Sequence, residues 1–302
     1  MDIRELKYFL AVVEKGSISR AADSLYIAQS SLSKSIKILE AEFGTTLFVR
    51  TSTGVRLTNS GKYFLDYAKR CVINYHNAVC HVNDLDNRIT GQIDLGISSY
   101  RGRFLLPDIL STYNKAYPEV SVIIHEHNSI ELERLINKGE LNIALVAEHH
   151  ALGLYSERVL EDEVVVECHK NHPLTRFAKP FPDGRKGRWI DLKDTEPFEY
   201  ILSDSSAILG NIATKLFEKY QVIPRSKNTN ITASFAVDMA RSGLGLCFNY
   251  KSCTHYQDEM CQFSIGKERE ILNLALIYPP DTYRSKATKT FAALMKEEWS
   301  KR

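Results

Sequence analysis

No apolar run in these 302 residues approaches the 18 or more that a membrane-spanning helix needs, which argues against a helical membrane protein. An excess of charge of one sign is also missing. The chain carries 39 Lys and Arg against 37 Asp and Glu, and the formal net charge of +2 neither demands nor excludes a polyanionic partner. Six cysteines (71, 80, 168, 247, 253, 261) include no CxxC pair, so no zinc knuckle or dithiol motif is spelled out and reduced thiols are expected. The opening MDIRELKYFLAVVEKG is not a secretory signal, because acids interrupt its apolar residues, and a cytoplasmic location is expected. No Ser-His-Asp or paired-carboxylate constellation is evident. Neither an enzymatic activity nor a cofactor is expected.

What is present begins with one helical face. Leu6, Phe9, Leu10 and Val13 recur at i, i+3, i+4, i+7, and Gly16 ends the helix with Ser17 as the next N-cap. Ile18, Ala21, Ala22 and Leu25 make a second short helix, Tyr26–Ala28 a tight connection, and Gln29 to Phe43 a third helix with Leu32, Ile36, Leu39 and Phe43 as its core stripe. Another face of this helix carries Ser30, Ser33, Lys34 and Lys37 and no acid. Short hydroxyls permit close approach to base edges, while lysines attract phosphate or contact guanine. Such a Ser/Lys face is more often merely solvated. After Gly44, the segments Leu47–Arg50 and Val55–Thr58 flank a Thr-Ser-Thr-Gly turn and form a short hairpin, with Arg50 and Arg56 placed for phosphates or a minor groove. From Gly16 to Lys62 there are six bases against three acids, a modest local excess. The pattern is that of a winged helix-turn-helix reading double-stranded DNA.

Thr58 then caps a long helix whose seam, Phe64, Ala68, Cys71, Tyr75, Ala78, Val82, Leu85 and Ile89, alternates spacings of 4 and 3. That is the a/d pattern of a coiled coil and predicts dimerisation. Beyond Thr90-Gly91 the pattern becomes βαβαβ, with strands around Ile93–Ile97, Val120–His125 and Ile143–Val146, a polar loop at Ser98–Gly102, and a helix over Ile130–Lys138. An open parallel sheet with helices on both faces follows, and such sheets bind ligands at the carboxyl ends of their strands. A second α/β unit has strands at Val164–Glu167, Tyr200–Leu202 and Gly245–Asn249 and helices from about Ser206 to Tyr220 and over Ile231–Ser242. Strand Leu272–Ile277 and helix Thr288–Trp299 return to the first unit. Two lobes with a cleft between them are predicted.

These motifs resemble the LysR-type transcriptional regulators. The residues carrying the likeness are Leu6, Phe9, Val13, Gly16–Ala22, Leu25, Gln29–Ser33, Ile36, Leu39-Glu40, Leu47-Phe48 and Gly54–Thr58. Leu105-Leu106-Pro107, Leu141–Ala144, His172-Pro173-Leu174 and Gly243-Leu244-Gly245 extend it along the chain. The resemblance implies an α/β protein with an N-terminal winged helix-turn-helix (1–58, the helix-turn-helix about 18–37) and a linker and dimerisation helix (59–90). It further implies a two-lobed effector domain like periplasmic binding proteins, with lobe I at 91–163 plus 265–302 and lobe II at 164–264. A tetramer of two dimers is implied, with no membrane association, and RNA polymerase is admitted as a further partner. Gln29, Ser33 and Lys34 match the family's major-groove contacts, and the DNA-binding set comprises Arg20, Gln29, Ser30, Ser31, Ser33, Lys34, Lys37, Arg50, Thr53 and Arg56. Ser30 stands where the family often has Pro, Thr53 where it has a wing Arg, Asn128 where Gly is common and Tyr250 where Pro is common. The effector set is Ser98, Ser99, Tyr100, Asn128, Ser129, Ser203, Asp204 and Ser205, for a small polar or anionic molecule. Alternatives are a solute-binding sensor whose N-terminal domain serves assembly and a thiol-based redox regulator using Cys253 and Cys261. A metal site from Cys247, Cys253, His255 and Cys261 is weighed and set aside for lack of ligand spacing.

Overall fold

The computed structural model describes residues 1–85, 88–148, 155–254, 258–280 and 282–300, so His255 lies outside the described residues. Helix α1 (Ile3–Lys15) starts with a capping box: Asp2 accepts from the Glu5 N–H and Glu5 accepts from the Asp2 N–H, both at 2.8 Å. α2 (Ile18–Ser24) and α3 (Gln29–Glu42) follow, then the antiparallel hairpin β1 (Phe48–Thr51) and β2 (Gly54–Leu57), with Ser52 and Thr53 at its tip. The core of this unit joins Leu6, Phe9, Val12, Ala21, Ala22, Leu32, Ile36, Leu39 and Leu47. Val12 is buried where the spacing pointed to Val13, which is half-buried, and Phe43 is largely exposed with its ring against Phe64.

Helix α4 (Asn59–Leu85) corrects the single-seam reading. Phe64 and Ala68 are buried within the winged unit itself, and Cys71 packs on the same core. The partner missing from the sequence pattern is α1, whose Phe9 ring meets Phe64 edge-on at 4.9 Å. Ile89 is also lost from the seam, being non-helical and packed against the core of the C-terminal unit. What stays open is the far half: Tyr75, Ala78, Val82 and Leu85 are exposed, together with Val79.

The C-terminal part opens with β3 (Gly91–Ile97), α5 (Ser99–Leu105), α6 (Pro107–Ala116), β4 (Val120–Glu126), α7 (Ser129–Asn137) and β5 (Ile143–Ala147). β3 lies parallel to both β4 and β5. The polar loop expected at 98–102 is instead the start of α5. Arg101, Phe104 and Leu105 give that helix a buried face which the polar residues around them disguise.

β6 (Tyr155–His169) is far longer than the expected 164–167, and two short strands, β7 (Lys179–Pro180) and β8 (Arg188–Ile190), interrupt the connection after it. Next come β9 (Glu199–Ser203), α8 (Ile208–Tyr220), β10 (Arg225–Ile231), α9 (Ala233–Arg241), β11 (Cys247–Tyr250), β12 (Met260–Ile265), β13 (Glu270–Tyr278) and α10 (Lys286–Ser300). The main sheet runs β4-β3-β5-β13-β6-β12-β8-β7, with β11 also on β6. β13 pairs with Tyr155–Val164 of β6, whereas β11 and β12 pair with its later residues up to His169, so one strand serves both lobes. β9 and β10 form a parallel pair tied in by a Tyr200–Leu246 bridge. α10 packs back on lobe I, where the Tyr113 hydroxyl donates to the Ala287 carbonyl at 2.8 Å.

Candidate nucleic-acid interface and effector cleft

On α3 the core stripe of Leu32, Ile36 and Leu39 faces α1 and α2, which turns Gln29, Ser30, Ser31, Lys34 and Lys37 to the surface. Ser33 is half-buried at the edge of this face. Arg20 on α2 and Arg50, Thr53 and Arg56 on the hairpin are exposed as well. Among the described residues none of Arg20, Lys34, Lys37, Arg50 and Arg56 forms an ion pair, so these cations are available to an external anion. Glu40 was not foreseen as a positioning residue. Its carboxylate accepts the N–H groups of Leu47 and Phe48 at 2.7 and 3.1 Å and so clamps the start of β1 to α3. The hairpin is seated from below as well, because the Val55 N–H donates to the Gly16 carbonyl at 2.9 Å.

The effector residues do not converge on one cavity. A cleft of about 630 Å³ brings Asn128 and Ser129, at the start of α7, opposite Ser205 and the α8 residues Ile208, Asn211, Ile212 and Lys215, with Glu270 and Ile271 on its wall. Ser203 shares a separate, largely apolar hollow on lobe II with Ser205 and Phe217. Tyr100 lines a small cavity with Glu167, Asn249 and Gln262, while Ser98, Ser99 and Asp204 line none of these spaces. The physical reason lies in local bonding. The Ser98 carbonyl accepts from Gly102 N–H inside α5 and Asp204 accepts from Ser206 N–H at 2.7 Å, whereas Asn128 borders the cleft while its side chain also accepts from Glu131 N–H at 2.9 Å. That backbone donor also lowers the Asp204 pKa. Lys215 was missed; its signal is the i, i+3, i+4, i+7 set 208, 211, 212, 215, which puts one exposed cation on the cleft side of α8. Among the described residues Lys215 has no ion-pair partner.

The small cavity holds a chain of hydrogen bonds between the lobes. The Tyr100 hydroxyl donates to Asn249 at 2.6 Å, and Asn249 Nδ2 donates to Glu167 at 2.9 Å. Glu167 is 3% exposed, and burial raises its pKa from 4.5 to about 7 against the opposing pull of the Asn249 bond. Burial likewise pushes the Cys253 thiol up to about 12, away from thiolate reactivity. Cys261 lies across the ladder from Cys168. No cluster of three or more His, Cys, Asp or Glu suited to a metal occurs among the described residues.

Comparison with known proteins covers the chain almost end to end. Residues 3–62 match the bacterial regulatory helix-turn-helix protein model of the lysR family, and residues 86–300 match the LysR substrate binding domain. A probable RuBisCO transcriptional regulator of Trieres chinensis is 27% identical over 299 residues, 96% of this chain and 94% of its own length. Among solved structures, a full-length OxyR variant from Pseudomonas aeruginosa superposes with a TM-score of 0.69 at 20% identity, covering 98% of each chain. Full-length CbnR complexed with its target DNA gives 0.68 at 19% identity, covering 100% of this chain and 99% of CbnR.

Proposed function

The chain belongs to the lysR family of helix-turn-helix regulatory proteins, and from that premise we propose how its residues share the work. It is a transcriptional regulator with a DNA-binding helix-turn-helix and an effector-binding domain. In the reading proposed here residues 1–58 bind DNA, 59–90 link and dimerise, 91–163 with 265–302 make lobe I, and 164–264 make lobe II. α3 enters the major groove with Gln29, Ser33 and Lys34 reading bases, while Arg20, Ser30, Ser31, Lys37, Arg50, Thr53 and Arg56 hold phosphates or the groove edge. The observation that carries this is the acid-free exposed face of α3 beside a hairpin whose arginines have no ion pair among the described residues.

The effector is a small anion in the cleft between Asn128, Ser129 and Ser205, with Lys215 as its counter-ion. Its binding biases lobe closure and thereby the spacing of DNA-binding units in a dimer of dimers. The protein acts in the cytoplasm and has no catalytic activity of its own.

A salt-series gel shift tests the DNA reading. Lys34→Ala should lower the slope of log affinity against log salt by about one contact and weaken operator binding. Equal binding of promoter and random DNA, with Lys34→Ala indistinguishable from the parent, would return the chain to a sensor with an assembly domain. For the cleft, a metabolite screen by thermal shift should find anions that raise the unfolding midpoint of the parent and not of Lys215→Ala.

A further inference from the structure

Tyr26 occupies the turn between α2 and α3 with its backbone in the left-handed region, at φ 55°. The turn is a Schellman motif: Ile27 N–H donates to the Ala22 carbonyl at 3.1 Å and Tyr26 N–H to the Asp23 carbonyl at 3.2 Å, after the C-cap residue Leu25. Glycine is the usual occupant of this position because a Cβ crowds the following carbonyl oxygen there. The chain follows that rule after α1, α3, α7 and α9, where Gly16, Gly44, Gly139 and Gly243 take the same conformation, and departs from it also after α8, at the smaller, polar Gln221.

Nothing in the fold offsets the tyrosine. Its side chain is 95% exposed, and among the described residues that side chain has no ring contact or hydrogen bond. Strain held at an exposed large side chain points to a use outside the fold. The position supplies that use, since Gln29, three residues on, begins α3 and is itself exposed.

We propose that Tyr26 is a DNA-contacting residue whose phenol hydroxyl donates a hydrogen bond to a backbone phosphate beside the groove that receives α3. The inference rests on α3 being the DNA-reading helix and adds a contact that the basic face does not contain. Tyrosine is among the side chains that reach phosphate oxygens in DNA complexes. Being neutral, it releases no counterion, so it raises affinity on all duplexes without adding to the salt slope.

The test uses the full chain and three variants, Tyr26→Gly, Tyr26→Asn and Tyr26→Phe, with Lys34→Ala as the control. Each is followed by thermal unfolding and by binding, at several salt concentrations, to a duplex selected from a random pool and to an unselected duplex. Tyr26→Gly and Tyr26→Asn should unfold at higher temperature than the parent yet bind both duplexes about tenfold more weakly, the effect of one charge-assisted hydrogen bond. Their salt slope should stay at the parent value, and that of Lys34→Ala should fall. Tyr26→Phe should keep the parent's unfolding temperature and share the tenfold loss. If the Gly and Asn variants gain stability and keep full affinity while Lys34→Ala weakens binding, the Tyr26 contact is wrong and the α3 reading survives. Full affinity in Tyr26→Phe alone would overturn the hydroxyl as the donor. If Lys34→Ala also binds like the parent, the α3 reading falls and takes Tyr26 with it.

Discussion

Glu167 is an acid in surroundings that favour its neutral form, and its effect on stability follows from that. The folded protein holds this proton up to about pH 7, whereas the unfolded chain releases it near 4.5. Between those values the native state binds more proton than the unfolded state, so stability falls as pH rises, by about 3 kcal/mol in all, and is flat in this respect above 7. Glu167→Gln should abolish that decline. Denaturant titrations from pH 4.5 to 8 should show the variant level with the parent at the acid end and more stable at the alkaline end. Gly54 makes a second prediction at this scale. Its φ of 142° and a Cβ position 2.2 Å from the Gly16 carbonyl oxygen leave no room for a side chain. Gly54→Ala should lift the hairpin off the α1–α2 junction, cost about 2 kcal/mol or more in unfolding of the winged unit, and lower operator affinity in gel shifts. Neither residue advertised itself in the sequence. Glu167 ends the run Glu163–Glu167 with nothing to say that Asn249, 82 positions away, would face it, and Gly54 looked like any turn glycine. The exposed face of α3 was legible because spacing alone assigns the faces of a single helix.

At the scale of elements, α4 joins the two parts of the molecule through contacts at both ends. Near its start Phe64 and Ala68 lock into the winged unit, and at its far end Asp84, 4% exposed, ties it to the effector domain. The Asp84 carboxylate accepts from Lys286 N–H at 2.7 Å and from the Tyr283 hydroxyl at 2.8 Å, while His81 stacks on Tyr283 at 4.0 Å. Midway, Lys69 bonds Glu140 of lobe I at 2.8 Å. Asp84→Ala leaves the first N–H of α10 and a phenol without their acceptor and should cost about 2 kcal/mol, read by chemical denaturation. The same variant should speed proteolytic cleavage after Leu85. The helical period of this element could be read directly from the sequence. Its partners could not, because a 4-3 stripe looks the same whether it meets a second chain or the protein's own α1.

For the whole molecule, the pairing of copies proposed above falls to the exposed half of α4. Val82→Glu combined with Leu85→Lys should move the sedimentation velocity profile toward monomer and weaken operator binding by roughly a hundredfold or more, since paired half-sites then bind one at a time. The alternation of strands and helices that announces the lobes is local and was visible from the start. The long-range ladders were not: β12 and the full length of β6 depend on pairings with distant segments, and single-strand periodicity does not encode a neighbour. β6 has a mechanical consequence. Its ladder passes directly from β13 to β11 and β12 around Val164 and Val165, with one register shift earlier, where Leu274 and Ala275 face Leu160 and Arg158, so the lobes are joined by a torsion bar, not by a loose swivel. Rotation of one lobe against the other has to be taken up as added twist spread along a strand of 15 residues. A bar of this kind stores elastic energy in proportion to the square of the angle. A ligand held between these lobes should accordingly move them through only a small angle, with recoil reversing the movement once it leaves.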